Sequence, residues 1–356
     1  MLSILIKPAS SRCNLKCKYC FYGDESLNRS QSDYGMMKVE TLEVIIKKAL
    51  EYEVDVCSFL FQGGEPTLVG LHFYEHVIKF QQRYNVHHVK IMNSIQSNGL
   101  LLDESWAHFF KQHDFLVGLS IDGIKVTHEC YRGKNFDQVV KAAELLKRFE
   151  VPFNVLTVVT DEVCEQIAAI YTFYKQHHFR YLQFIPCLDS LDNHNYLSVD
   201  SYTTFLKTLF QLWFDDATKG NLISIGYFDD LLHLLCAEFP KTCGRLGRCG
   251  MHYVLEADGS VYPCDFYMMD AYYLGNLLQD DFEVLNDKRR DLQFLEPIFS
   301  KTCKKCKWYR LCYGGCRRER VSQLGVNKYC QAYQAFLEEA YPLLQWMANR
   351  ILMTNI

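Results

Sequence analysis

The sequence predicts an α/β chain: a partial (β/α)6 barrel of the TIM type over residues 1–235, then a small cysteine-rich domain over 236–356 that closes with a helix. Three observations carry this expectation. Strand-like and helix-like segments alternate six times along the first two thirds of the chain. The unusual polar motifs all fall just past strand ends. After about residue 236 the alternation gives way to a stretch dominated by Cys, Gly, Lys and Arg.

The strands are expected at Ser3–Lys7, Val54–Phe61, Val89–Ser94, Phe115–Ile121, Phe153–Val159 and Tyr181–Ile185, each rich in Val, Ile, Phe, Tyr or Leu. Between them lie VETLEVIIKKAL, DESWAHFFKQH and DQVVKAAELLKRF, with apolar residues at the three- and four-residue spacing of a helix face. Asp103 and Asp161 are placed as N-caps. Successive βα units call for a parallel sheet with right-handed crossovers. The final stretch, QAYQAFLEEAYPLLQWMANRIL, reads as an amphipathic helix used for packing. From Thr242 to Cys330, cysteines are dense enough that bound metal, rather than a large core, is expected to hold the chain.

Composition narrows the class of function. The net charge is −4, so no global positive field attracts nucleic acid or an anionic membrane. The opening MLSILIKPAS lacks a basic n-region and a small-residue cleavage site, and no apolar run reaches the ~18 residues of a membrane span. A cytoplasmic protein with neither nucleic-acid nor membrane partner is expected. Its 16 cysteines among 356 residues fall below the ~8–10% of secreted disulfide scaffolds. In a reducing compartment such clusters serve metals or catalysis. Cys57, Cys130, Cys164, Cys187 and Cys236 are scattered and read as small buried hydrophobes.

The motifs share one placement. CNLKCKYC follows the first strand, Gly63-Gly64-Glu65-Pro66 the second and Gln96-Ser97-Asn98-Gly99 the third. Ser120-Ile121-Asp122-Gly123 ends the fourth, and Pro186-Cys187-Leu188-Asp189 follows the sixth. In a parallel barrel those ends form the rim where active sites are built. Any single glycine there could serve only a turn; the agreement in position is what counts.

Cys13, Cys17 and Cys20 offer three thiolates from one short arc of chain. Structural zinc takes four ligands. Three cysteines on a four-iron cluster leave one iron with an open position, able to bind and activate a substrate. Downstream, Cys243, Cys249, Cys264, Cys303, Cys306, Cys312, Cys316 and Cys330 suffice for two fully ligated four-iron clusters, or equally for two zinc sites. Lys301 to Arg320 carries eight basic residues and one acid, Glu319. Such a run is ordinarily a solvated face; beside cluster thiolates it would also stabilise their negative charge.

CNLKCKYCFY followed by FQGGEPTL resembles the signature of radical S-adenosylmethionine enzymes, and the distal cysteines resemble the SPASM extension of that family. The likeness runs over nearly the whole chain to anaerobic sulfatase-maturating enzymes, through IKPASSRCNLKCKYCFY, FQGGEPTL, NSIQSNG, FLVGLSIDG, LQFIPCLD, DGSVYPCDFY and CKKCKWYRLCYGGCRRER. The match departs most around Tyr131–Phe136, where the loop is short.

The resemblance implies oxidation of a sulfatase cysteine or serine to Cα-formylglycine through a 5′-deoxyadenosyl radical. It implies three 4Fe-4S clusters and S-adenosylmethionine. One auxiliary cluster would take Cys243, Cys249, Cys264 and Cys316, the other Cys303, Cys306, Cys312 and Cys330. Tyr19, Gly64, Ser120, Arg132 and Leu188 would contact S-adenosylmethionine, Tyr22 and Gln62 the substrate peptide, and Asp265 would be the base. The implied partners are an unfolded or nascent sulfatase polypeptide carrying a Cys/Ser-x-Pro-x-Arg motif and a low-potential donor, flavodoxin or ferredoxin. Two other readings compete: a SPASM enzyme that forms thioethers or side-chain crosslinks in a small precursor, and a non-catalytic iron–sulfur electron carrier. The first often has an additional precursor-binding domain, for which a chain entering its barrel at Ser3 leaves no N-terminal room. The second has no use for an open iron beside a Gly-Gly-Glu-Pro turn.

Overall fold

The computed structural model describes residues 1–192, 194–296, 300–321 and 325–354. In chain order the strands are β1 (Leu2–Ile6), β2 (Val56–Phe61), β3 (Lys90–Ser97), β4 (Leu116–Ser120), β5 (Phe153–Val159), β6 (Tyr181–Pro186), β7 (Ser224–Ile225), β8 (His252–Leu255), β9 (Ser260–Tyr262), β10 (Gly275–Asn276), β11 (Arg320–Val321) and β12 (Val326–Asn327). The chain divides into two compact units that interleave along the sequence. One is Met1–Ile121, Glu129–Asn154 and Met251–Phe294; the other is Asp122–His128, Val155–Gly250 and Leu295–Ile356.

The first unit holds strands in the order β10-β9-β8-β1-β2-β3-β4. β1 to β4 are parallel neighbours, as six strand–helix repeats require. Alternate residues of β1 and β2 face the core: Ile4, Ile6, Cys57, Phe59 and Phe61 are fully buried, with half-buried residues between them. The helices Val39–Glu51 and Leu71–Tyr84 cover this sheet and pack on each other. Asp103 caps its helix as expected, accepting a hydrogen bond from the Trp106 amide at 3.1 Å.

The loss of alternation after residue 236 does not end the sheet. β8 pairs in parallel with β1, Ser3 opposite His252 and Ile6 opposite Leu255, and β9 and β10 continue antiparallel from it. Met251–Phe294 therefore belongs to the same unit as β1. Its core joins Tyr22, Val254, Tyr262 and Met268, with Leu5 and Phe21 against them.

In the second unit β5, β6 and β7 are parallel neighbours. The cap of the helix Asp161–Glu165 is Thr160, not Asp161. The Asp161 carboxylate instead accepts from the Ser198 amide at 2.9 Å, which anchors the next long helix, Val199–Thr218. That helix, Gly226–Leu235 and the C-terminal helix Cys330–Thr354 pack together through Phe210, Phe228 and Phe336. Of the scattered cysteines, Cys57, Cys164 and Cys187 are buried, while Cys130 and Cys236 are only partly so. Among the described residues no helix is long and apolar enough to cross a membrane.

Candidate active site

β1 runs into the loop carrying Cys13, Cys17 and Cys20, and each turn of that loop is locally specified. The Leu15 amide donates to Cys13 Sγ at 3.3 Å. Cys20 caps the helix Phe21–Leu27, its sulfur accepting from the Gly23 amide at 3.3 Å. Burial pushes the Cys13 thiol up to about 11, the Leu15 amide opposes this, and Glu65, Cys17 and Cys20 add to the rise. Cys17 and Cys20 lie close enough to act on the Cys13 sulfur, which fits the three as ligands of one cationic centre.

The Gly-Gly-Glu-Pro turn after β2 locks onto this loop. The Glu65 amide donates to the Arg12 carbonyl at 2.8 Å. At Gly64, with φ +54°, a Cβ would lie 2.0 Å from that same carbonyl oxygen, so only glycine permits the approach. At Gly63, φ +103°, a Cβ would meet Lys7 Cγ at 2.6 Å. The buried Glu65 carboxylate accepts from the Thr67 hydroxyl (2.6 Å), the Ser97 hydroxyl (2.8 Å) and the Asn98 amide (2.8 Å). Burial raises its pKa above the ordinary carboxylate range, and these donors oppose the rise. Glu65 thus fastens the second strand's turn to the third strand's end. Asn98 in turn donates to Asn14 at 2.7 Å, inside the cysteine loop.

The structure brings several expected site residues together and gives others different surroundings. The Arg132 guanidinium lies 5.4 Å from the Tyr19 ring, and the Lys18 amide donates to the Tyr131 carbonyl at 3.0 Å. The short loop therefore still places Arg132 beside the cysteine loop. Ser120 is buried at the end of β4. Leu188, half-buried, belongs to the second unit. Tyr22 is buried, and its hydroxyl donates to Glu256, whose carboxylate also pairs with Arg29 at 2.7 Å.

Asp265 opens a short 3-10 turn directly after Cys264. One carboxylate oxygen forms an ion pair with Lys7, and the other accepts from Gln62 Nε2 at 2.8 Å. Gln62 is thus tied to the carboxylate. The Lys7 ammonium also sits 3.8 Å from the Tyr22 ring centroid, a cation–π contact, so Tyr22 meets this constellation through Lys7. Sequence reasoning passed over Lys7, although a lysine at the C-terminal end of a barrel strand is a signal of function. It also passed over Glu256 and Arg29, whose pairing spans most of the chain.

In the second unit, Cys303, Cys306, Cys312 and Cys330 line one pocket with Trp308 and Tyr333. Four thiols around one pocket can share a metal centre. Burial raises the Cys330 thiol, and Cys312, Cys303 and Cys306 add to it. Cys316 is likewise raised by burial, with Glu319, Cys243 and Cys249 contributing. Cys243, Cys249 and Cys316 are therefore electrostatic neighbours, while Cys264 is carried by the first unit.

Comparison with known proteins agrees with this chemistry. Residues 8–174 match the Radical SAM superfamily and residues 243–316 an iron-sulfur cluster-binding domain. A cysteine-type anaerobic sulfatase-maturating enzyme of Clostridium perfringens is 46% identical, over 98% of this chain and 99% of that protein. A serine-type enzyme of Bacteroides thetaiotaomicron is 28% identical, over 99% of this chain and 92% of that protein. The solved structure of native anSMEcpe with bound AdoMet and Cp18Cys peptide superposes with a TM-score of 0.93 at 45% identity, over 98% of this chain and 99% of that one. On identity held over nearly the full length of both chains, the chain belongs to the anaerobic sulfatase-maturating enzymes of the radical SAM superfamily.

Proposed function

We propose that this chain oxidises a cysteine on an unfolded or nascent sulfatase polypeptide to Cα-formylglycine, with Asp265 as the base. The observation that carries this is the Asp265 carboxylate, fixed by Lys7 and Gln62 in the unit that also carries Cys13, Cys17, Cys20 and Gly64. Cysteine is preferred over serine because the relatives at 43–46% identity are cysteine-type and those at 28–30% are serine-type.

When bound, the clusters and S-adenosylmethionine supply a hydrogen-atom abstractor and a one-electron acceptor. The substrate Cβ gives up one hydrogen atom, its sulfur gives a proton to Asp265, and one electron leaves the substrate. The resulting thioaldehyde exchanges sulfur for oxygen with water, releasing hydrogen sulfide and leaving the aldehyde. A carboxylate held at two oxygens cannot swing away from its target, which is what proton transfer from a positioned substrate demands. Cys13, Cys17 and Cys20 would hold the first cluster. Tyr19, Gly64, Ser120, Arg132 and Leu188 would contact S-adenosylmethionine, and Tyr22 and Gln62 support the peptide. Cys303, Cys306, Cys312 and Cys330 would hold one auxiliary cluster, and Cys243, Cys249, Cys264 and Cys316 the other.

The functional division is taken at 235/236, since the superfamily match lies wholly before it and the cluster-domain match wholly after. The donor is an acidic low-potential flavodoxin or ferredoxin, for which the basic run from Lys301 to Arg320 is suited. Nascent chains and such donors meet in the cytoplasm.

Anaerobic incubation with a peptide containing Cys-x-Pro-x-Arg, and with its Ser version, read by mass spectrometry, tests the reading. Conversion of the Cys peptide to an aldehyde is expected. A crosslinked peptide, or no product from either peptide despite cleavage of S-adenosylmethionine, would defeat it.

A further inference from the structure

Arg245 stands in the 3-10 turn that Cys243 opens, Cys243–Arg245, yet its side chain reaches into the neighbouring group of cysteines. Its Nη1 donates to the Leu311 carbonyl at 3.0 Å, one residue before Cys312. The guanidinium lies 4.1 Å from the Tyr227 ring centroid and 5.6 Å from that of Tyr333. Tyr333 lines the same pocket as Cys303, Cys306, Cys312 and Cys330. Arg245 is 7% exposed.

Enclosing a permanent cation costs free energy unless something negative compensates it. Phenol faces and a carbonyl supply part of that compensation. Packing alone would be served better by a methionine or leucine of similar volume. Glu319, half-buried and accepting from Asn327 at 2.8 Å, follows Cys316 by one turn, its amide donating to the Cys316 carbonyl at 3.3 Å. Burial raises the Glu319 pKa, and the Asn327 hydrogen bond and the Arg245 charge oppose the rise.

We propose that Arg245 is a positioning residue of the electron-acceptor site: it stabilises the more negative, reduced state of the centre held by Cys303, Cys306, Cys312 and Cys330, and ties that ligand loop to the turn carrying Cys243. This rests on the reading of those four cysteines as cluster ligands. The step concerned is the arrival of one electron from the substrate radical, with no bond made or broken at the protein. A fixed positive charge beside a ligand sulfur, in a medium of low dielectric, makes that arrival easier. It also raises the attraction of the centre for electrons without adding a titrating proton.

The test uses full-length protein in which Cys13, Cys17 and Cys20 are replaced by Ala, so that only the distal centres are followed. Arg245→Met removes the charge and Arg245→Lys keeps it without the planar fork. Iron content and an EPR-monitored redox titration are read for each. Arg245→Met is expected to keep its iron and to shift one of the two distal signals to lower potential, while Arg245→Lys stays near the parent. Loss of iron from the Met variant alone, with the Lys variant unchanged in iron and potential, supports the same conclusion, since only charge separates the two. An iron-replete Met variant titrating at the parent potential overturns the proposal. So does equal iron loss in both variants, or an equal potential shift in both. A parent carrying zinc instead of iron at the distal cysteines removes the underlying cluster reading before either substitution is made.

Discussion

Lys7 and Asp265 stand 258 residues apart in sequence and form an ion pair in which the lysine side chain has no solvent exposure. The pair joins the end of the first strand to the residue after Cys264. Replacing Lys7 by Met removes the charged anchor and leaves Asp265 held by Gln62 alone. Aldehyde formation is expected to fall by roughly a hundredfold, the scale of losing orientation at a reacting group. Formation of 5′-deoxyadenosine should persist. Parallel chromatography of the nucleoside and mass spectrometry of the peptide measure both, and an unaltered product rate would show that the ion pair positions nothing.

Asp265→Asn keeps the shape and the Gln62 neighbour but removes the base. Hydrogen abstraction is expected to survive while aldehyde falls about a hundredfold or more. Product at the wild-type rate would take the role of base away from Asp265.

Gly64 and Gly70 both have positive φ, +54° and +83°, but they differ in what surrounds them. An alanine at 70 meets open space, so it carries only the cost of its glycine-type backbone, φ 83° and ψ 158°, of about 1–3 kcal/mol. An alanine at 64 also collides with the Arg12 carbonyl at 2.0 Å. Gly64→Ala is expected to melt at a lower temperature than Gly70→Ala and to bind S-adenosylmethionine more weakly. Equal melting temperatures would mean that the turn does not press on the cysteine loop.

His252 links stability to pH. Burial holds its pKa below the ordinary histidine value, with Arg289 acting in the same sense. The neutral ring, 3.2 Å from the Ser3 hydroxyl, is the folded form. Its contribution is present above the unfolded pKa of about 6.5 and is lost as pH falls through the lower folded value. Urea titrations at descending pH should show His252→Gln losing less stability below that point than the wild type. Parallel losses in the two proteins would rule out His252 as a source.

Simultaneous Ala substitution of Cys13, Cys17 and Cys20 is expected to remove about four of roughly twelve reconstituted irons and all cleavage of S-adenosylmethionine. Retention of all the iron, or of any cleavage, would contradict their role as ligands.

Much of this was legible in sequence because the strands are short segments rich in Val, Ile, Leu and Phe, such as VCSFLF, bounded by glycine and polar motifs. The motifs past their ends were legible for the same reason. Asp161 was misplaced as a cap because Thr160 beside it is an equally good one, and its true partner, the Ser198 amide, is remote in sequence. β8 escaped notice because its four residues, HYVL, follow a glycine- and cysteine-rich stretch and pair with a strand at the opposite end of the chain. Lys7 was silent for a similar reason: a lone lysine has no local pattern, and what makes it informative is a carboxylate that only the fold brings near.

The pairing of β8 with β1 has a consequence for how the protein can be divided. A fragment ended at residue 235 would lose β8 and leave the β1 backbone as an uncovered edge, with LSILI offering unpaired amides and carbonyls to any similar strand. Such a fragment should aggregate on expression, however well its cysteine loop is preserved. One extended to Phe294 would keep that edge covered. The workable truncation point is therefore dictated by a hydrogen-bond ladder, and the minimal soluble piece must include sequence from far beyond the last barrel strand.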